Sequence, residues 1–393
     1  MNTKQSGKVV FSLQTLFDTV ESITKKYIDL WEEICNIESP TNCKSGVDAV
    51  GNRLVHLAKG LGWSVERLSH PIAGDALCLT LNPDAKEIPV ALSGHMDTVH
   101  PVGLFGSPAV HMDEKRIYGP GVSDCKGGIV AACLAMEALQ LCGFCARPVR
   151  LILQSDEEVS SILSDKTTIA FMAEKAKDCI AFLNTEPTAN PGKITVERKG
   201  IIRYVFDIHG IAAHSSKCDE GASAISEAAH KIIELEKWKD GDGITCTCGV
   251  IEGGSAPNTV AERCTFMADI RYKTPEQLAC VQQRVREIAD TVFVEGTTCT
   301  LTVKSERVCG ERTKQNVALF EKANAILQRN GFGSFEMRGV KGGSDASNLS
   351  ALGIPCLDSL GVHGGKIHSK DEYAELYSLP LVAKQLAALV HEL

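Results

Sequence analysis

Three apolar runs, at residues 88–92, 149–154 and 179–183, alternate with helical patterns, and each empties into a segment carrying histidine or acid. A further run at 76–81 precedes them, and helical periodicity is read at about 13–36, 46–60, 126–141 and 167–175. Parallel strands need long crossovers, usually helices, so this alternation predicts an α/β fold: a mostly parallel sheet with helices on both faces. Such sheets gather ligands beyond the carboxyl ends of their strands, which directs attention to the segments that follow each run.

From about residue 195 the rhythm changes. Strands are expected around 201–209, 244–251 and 264–272, with helices at about 223–238 and 275–292, the pattern of a small α+β sandwich. After about 306 the first rhythm resumes, with a helix near 316–329, a strand at 354–357 and a closing helix at 379–391. A chain of 393 residues exceeds one ordinary core. The expected organisation is one domain from 1–194 and 306–393, with 195–305 inserted in it.

Lys and Arg number 41 against 49 Asp and Glu, a formal charge of −8, and no long basic run is present. That excludes a nucleic-acid partner. The N-terminus, MNTKQSGKVVFSLQTLFDTV, is broken by polar residues before an apolar leader core develops. No later segment reaches the roughly 20 apolar residues of a membrane span, so a cytoplasmic protein with no membrane partner is expected. The 16 cysteines are scattered singly among apolar residues and are read as reduced core residues. Cys142 and Cys145 have redox-motif spacing but lack the strand-then-helix context that such a motif requires.

Five segments carry the chemistry. Ser93-Gly94-His95-Met96-Asp97 places an imidazole at a strand end, with Asp97 able to reach its other ring nitrogen; a turn-capping histidine is the plain alternative. Gly119-Pro120-Gly121-Val122-Ser123-Asp124 delivers a carboxylate to a helix start, where a simple N-cap would also fit. Asp156-Glu157-Glu158 puts three acids together; they repel unless cations or protons intervene, and a solvated acidic turn is the alternative. Glu157 and Glu158 offer a carboxylate to take a proton from water and another to bind metal. Glu186 ends a fourth segment and His368 lies in a fifth, so the set suits two divalent ions.

SGHMDTV, YGPGVSDCKGG, SDEE, NTEP and HSKDE, in that order, resemble the motif series of the co-catalytic zinc exopeptidases and amidohydrolases. That family includes glutamate carboxypeptidase of the G type, acetylornithine deacetylase, succinyl-diaminopimelate desuccinylase, aminoacylase and peptidase T. The match runs from about residue 30 to the end. It implies that Asp124 bridges two ions, zinc or else cobalt or manganese, that His95 and Glu186 complete one, and that Glu158 and His368 complete the other. Glu157 would be the general base, Asp97 would orient His95, and the Asp124–Cys125 peptide would be cis. The inserted domain would serve as a dimerisation or lid element, with His214 reaching the other subunit of a homodimer to stabilise the oxyanion.

Asn258 and Arg271 resemble the family's carboxylate-binding pair, although Arg271 could instead merely pair with Asp269. Gly342 and Gly343 match its glycine-rich substrate loop, and Arg307 falls where glutamate-releasing members read a side-chain carboxylate. The resemblance thus implies a carboxypeptidase acting on a small peptide or N-acyl amino acid and releasing a C-terminal residue, glutamate if Arg307 has that role. An N-acyl-amino-acid deacylase or dipeptidase would use the same machinery. A non-catalytic metal- or peptide-binding relative is opposed by the retention of Glu157 beside Glu158.

Overall fold

Six strands form the central sheet, in the order Ser64–Leu68, Ala76–Leu81, Val149–Gln154, Val90–His95, Ala181–Asn184, Cys356–Leu357. The last four run parallel to one another, and the first two add antiparallel at one edge. In this computed structural model, residues 11–238 and 243–393 are described. They fall into two compact units, one of residues 11–196, 312–338 and 344–393, the other of 197–238, 243–311 and 339–343.

The sheet is buried on both faces, and successive side chains sort to opposite sides as the strand period of two requires. Leu77, Leu79, Leu92, Leu151, Leu153 and Leu183 join one core, while Cys78, Ala91, Ile152 and Phe182 join the other. The helix Lys126–Leu141 lies at the centre of the first core, packed by Leu13–Asn36 and Ser378–Glu392. Buried along nearly its whole length, it reads as apolar all round rather than as a stripe. Its first residue, Lys126, is fully buried, and its Nζ donates to the Ile34 and Ile37 carbonyls at 3.1 and 2.8 Å. A cation thus satisfies the C-terminal carbonyls of the helix Leu13–Asn36.

The second unit is a four-stranded antiparallel sheet, ordered Thr245–Gly253, Arg263–Tyr272, Gly200–His209, Thr298–Arg307. Phe206 and Phe266 face each other across it and stack at 4.5 Å. The helices Ala224–Leu235 and Pro275–Asp290 cover its apolar face. Between them Glu227 and Lys231 form a fully buried pair. Lys231 donates to the Ile288, Ala289 and Thr291 carbonyls at the end of one helix, and Glu227 accepts the Phe293 and Val294 amides just beyond.

A small sheet was not foreseen from the sequence. Gly364–Gly365, Tyr373–Glu375, Arg116–Tyr118 and His111–Met112 pair in that order. Strands of two or three residues are too short to show a period, yet this sheet sets the hairpin around His368 beside the loop leading to Asp124. All the cysteines are free thiols, and Cys142 ends a helix with its Sγ 3.5 Å from the Thr19 hydroxyl. No helix among the described residues is long and apolar enough to cross a membrane.

Candidate metal centre and its supports

Three neighbouring parallel strands end side by side. Val90–His95 ends on His95 itself, Val149–Gln154 runs into Glu157 and Glu158, and Ala181–Asn184 into Glu186. Asp124 arrives from the glycine-rich loop, through a cis peptide to Cys125 at the start of the buried helix. His368 comes from the small-sheet hairpin with φ at +62°, a left-handed conformation that non-glycine residues seldom adopt.

Asp124 stands between the two histidines. Its Oδ1 lies 3.1 Å from His95 Nε2 and its Oδ2 lies 3.2 Å from His368 Nε2. His95 Nε2 is also 3.7 Å from Glu186, and His368 Nε2 is 3.4 Å from Glu158. Each imidazole therefore has one private glutamate and shares one aspartate. His95, Asp124 and Glu158 bring ligand atoms within 4.8 Å of one another, as do His95, Cys125 and Glu186. The Cys125 thiol donates to the Thr185 carbonyl at 3.2 Å, and burial keeps it protonated.

Charge in this pocket is balanced by protons when no ion is bound. Hydrogen bonds to Asp124 and Glu158 push His368 up to about 10. Burial opposes charge on His95, but hydrogen bonds to Asp124 and Asp97 outweigh it and hold its pKa well above the usual histidine value. Burial would raise Asp124, yet its bonds to His368 and His95 leave it lowered. Glu158 is pushed up to about 7, chiefly by burial. A buried imidazole, His95, and a half-exposed one, His368, sharing carboxylates in this way form a donor set of nitrogen and oxygen that suits divalent ions of borderline softness.

Two further carboxylates hold the ligands rather than join them. Asp97 is fully buried, and His95 Nδ1 lies 3.0 Å from its carbonyl oxygen and 3.3 Å from its carboxylate. The same carboxylate accepts the backbone amides of Glu157 and Glu158, each at 3.2 Å, and the Thr41 hydroxyl at 2.8 Å. One side chain thus sets both the tautomer of a histidine and the backbone of the Glu-Glu pair. Glu372 was missed from the sequence although it stands in HSKDE. It is 1% exposed, and it accepts the amides of Gly121, Ser123 and Asp124 at 3.3, 2.9 and 3.0 Å and meets His100 Nε2 at 2.8 Å. The sequence signal was an acid closing one recognised motif and a histidine directly after another. Asp156, the first of the three acids, turns away and accepts from Ser164 and Thr168, which relieves the crowding.

The substrate-side candidates lie in the second unit. His214 bridges to Thr259, and the Ser215 amide donates to the Asn258 carbonyl at 2.9 Å, so His214 and Asn258 are neighbours. His214 Nδ1 lies 2.9 Å from the Ser216 hydroxyl. Arg271 does pair with Asp269, at 2.7 Å, and it also donates to the Lys341 carbonyl at 3.0 Å. Arg307 packs against Gly343 so tightly that a Cβ there would sit 2.2 Å from Arg307 Cδ. Arg198 donates to the Gly342 and Gly343 carbonyls at 3.4 and 3.3 Å. Three guanidinium-bearing side chains therefore surround one glycine-rich loop.

The sequence profile of peptidase family M20/M25/M40 matches residues 91–392. The chain belongs to that family. Carboxypeptidase G2 of Pseudomonas sp. (strain RS-16) is 26% identical over 387 residues, covering 96% of this chain and 92% of its own. A tripeptidase of Staphylococcus aureus superposes with a TM-score of 0.80 at 24% identity, over 93% of this chain and 97% of that one. A Bacillus subtilis protein described as a dinuclear metal-binding M20 peptidase gives 0.68 at 14% identity, over 94% and 98%. These likenesses establish the M20 fold, and the family makes this chain a hydrolase of the metallopeptidase and amidohydrolase kind.

Proposed function

We propose that the chain is a di-zinc hydrolase cleaving an amide beside a free carboxylate, a carboxypeptidase that releases a C-terminal residue. The observation that carries this is Asp124, whose two oxygens face two histidines that each have a glutamate of their own. His95, Asp124 and Glu186 would hold one ion, and His368, Asp124 and Glu158 the other. Two such ions supply Lewis acidity toward the scissile carbonyl and make water acidic near neutral pH. Glu157 takes the proton of the attacking water and returns it to the leaving nitrogen. His214, in a homodimeric cytoplasmic enzyme, donates to the developing oxyanion of the partner's site. Asn258 and Arg271 take the substrate's main carboxylate, beside Gly342 and Gly343.

An acidic side chain on the released residue is supported by Arg307, which shares that loop with Arg271 and Arg198. The test is hydrolysis of dipeptides and N-acyl amino acids by the zinc-loaded protein. Glu157→Gln should lose about 10²- to 10⁴-fold in kcat while still binding two ions, and Arg307→Ala should abolish a preference for glutamate. Turnover that survives Glu157→Gln refutes the mechanism.

A further inference from the structure

We propose that a cleft beside Glu158 receives the acyl-side half of the substrate and selects apolar, uncharged acyl groups; this rests on the amide-hydrolase reading above. The cleft has a volume of about 570 Å³, within the range of small-molecule sites. Its walls come from three loops of the first unit: Pro40 to Cys43, then Thr98, Val99, Pro101 and Val102, and the stretch around Val159 and Leu163. Glu158, one of the candidate metal ligands, is part of the lining, which places the cleft beside the candidate metal centre.

The walls are held in place by the same residue that organises the centre. Asp97 accepts from Thr41 of one wall and from the Glu158 amide of another. The first two walls are also tied to each other, with the Thr41 amide donating to the Thr98 carbonyl at 3.1 Å and the Thr98 amide to the Ser39 carbonyl at 2.9 Å. The cleft's walls are thus tied together, and Glu158, which faces His368, is part of its lining. At its mouth stand Val99 and Val102, 41% and 64% exposed. Large apolar side chains left in water beside a polar centre mark a binding surface.

The chemistry of the lining decides which half of the substrate fits. Among the described residues that line the cleft, Glu158 is the one charged side chain, and no Lys, Arg or His is among them. The released half carries a free carboxylate, which on entering here would lose water without gaining a cation. The acyl half has no such requirement. By the same reasoning an acyl group with its own carboxylate, such as succinyl, is disfavoured, and aliphatic or aromatic acyl groups, or an apolar penultimate residue, are favoured.

The experiment measures kcat/KM of the zinc-loaded protein for N-acetyl-, N-hexanoyl-, N-benzoyl- and N-succinyl-glutamate. Hexanoyl and benzoyl should exceed acetyl by at least about tenfold, and succinyl should fall at least about tenfold below hexanoyl. Val102→Lys, at an exposed position that tolerates the change, should shift the succinyl-to-hexanoyl ratio upward by about tenfold. A separate arm measures binding of hexanamide and of succinamate by calorimetry, with hexanamide expected to bind more tightly to wild type and to lose that advantage in Val102→Lys. Succinyl equal to or better than hexanoyl, or ratios unmoved by Val102→Lys, overturns the cleft's role while leaving the hydrolase intact. No hydrolysis of any amide, with selective hexanamide binding retained, sinks the hydrolase reading and supports the cleft as an apolar site.

Discussion

Replacing Glu372 by alanine removes the one group that three backbone amides and a buried imidazole share. Breaking a buried charged cluster by deleting one partner costs about 3–5 kcal/mol. At about 2 °C per kcal/mol for a unit this large, the ion-free protein should melt about 6–10 °C lower. Glu372→Gln is milder for a geometric reason. Its amide oxygen can keep Ser123 and Asp124, while its NH2 is satisfied only if His100 accepts at Nε2, and Gly121 loses its partner. One such loss costs about 1–3 kcal/mol. The cluster also fixes the backbone of Asp124, so zinc affinity should fall about 10- to 100-fold in the alanine variant, as for other groups that orient ligands. Thermal melts of ion-free protein and competition with a chromophoric chelator report the two quantities separately. An alanine variant that melts within about 2 °C of wild type, or that melts lower but binds zinc within about threefold, would refute the positioning role.

Zinc binding should release protons, because His368 holds its proton up to about 10 and Glu158 up to about 7 when no ion is present. Affinity therefore falls as pH is lowered from 8 to 6, and calorimetric enthalpies should vary with the buffer's ionisation enthalpy; a slope of zero would contradict this. Lys231→Ala should destabilise the second unit by about 3–5 kcal/mol by stranding Glu227, yet leave zinc affinity unchanged, which paired melting and chelator titrations would check. Removing zinc with a chelator should lower the melting temperature, with the logarithm of the free zinc concentration, without unfolding the first unit, because its core and its positioning carboxylates do not depend on the ion. Loss of far-UV circular dichroism on chelation at 25 °C would count against that view.

The sequence displayed most clearly what lies on regular elements. The runs ending near His95, Glu157 and Glu186 were visible because parallel strands buried on both faces are continuously apolar, so the polar residue that ends each one stands out. Boundaries slipped where apolar residues lie outside the sheet: Ile88 is 57% exposed and the strand begins at Val90. Ser64–Leu68 was not seen, since it is a half-exposed edge strand with no clean alternation. The pairing of His100 with Glu372 joins positions 272 residues apart, and no local pattern encodes it. Gly339–Gly343 goes with the second unit although the chain on both sides belongs to the first, a division with no mark in composition.

Ligands and supports at this site share residue types but differ in what they bind. Asp124 and Glu158 face imidazoles, while Asp97 and Glu372 face mainly backbone amides. That distinction has a physical consequence. A carboxylate whose oxygens are occupied by N–H donors keeps its charge compensated whether or not an ion is present, and so it can hold geometry through cycles of binding and release. A carboxylate facing a histidine must exchange a proton for an ion. Each support also joins segments distant in sequence: Asp97 links the His95 strand end to the Glu157–Glu158 turn and to Thr41, and Glu372 links the His368 hairpin to the Asp124 loop. Four of the five candidate ligands are therefore placed by two side chains that bind none of the metal, and those two are where a substitution can disturb the centre without touching a ligand.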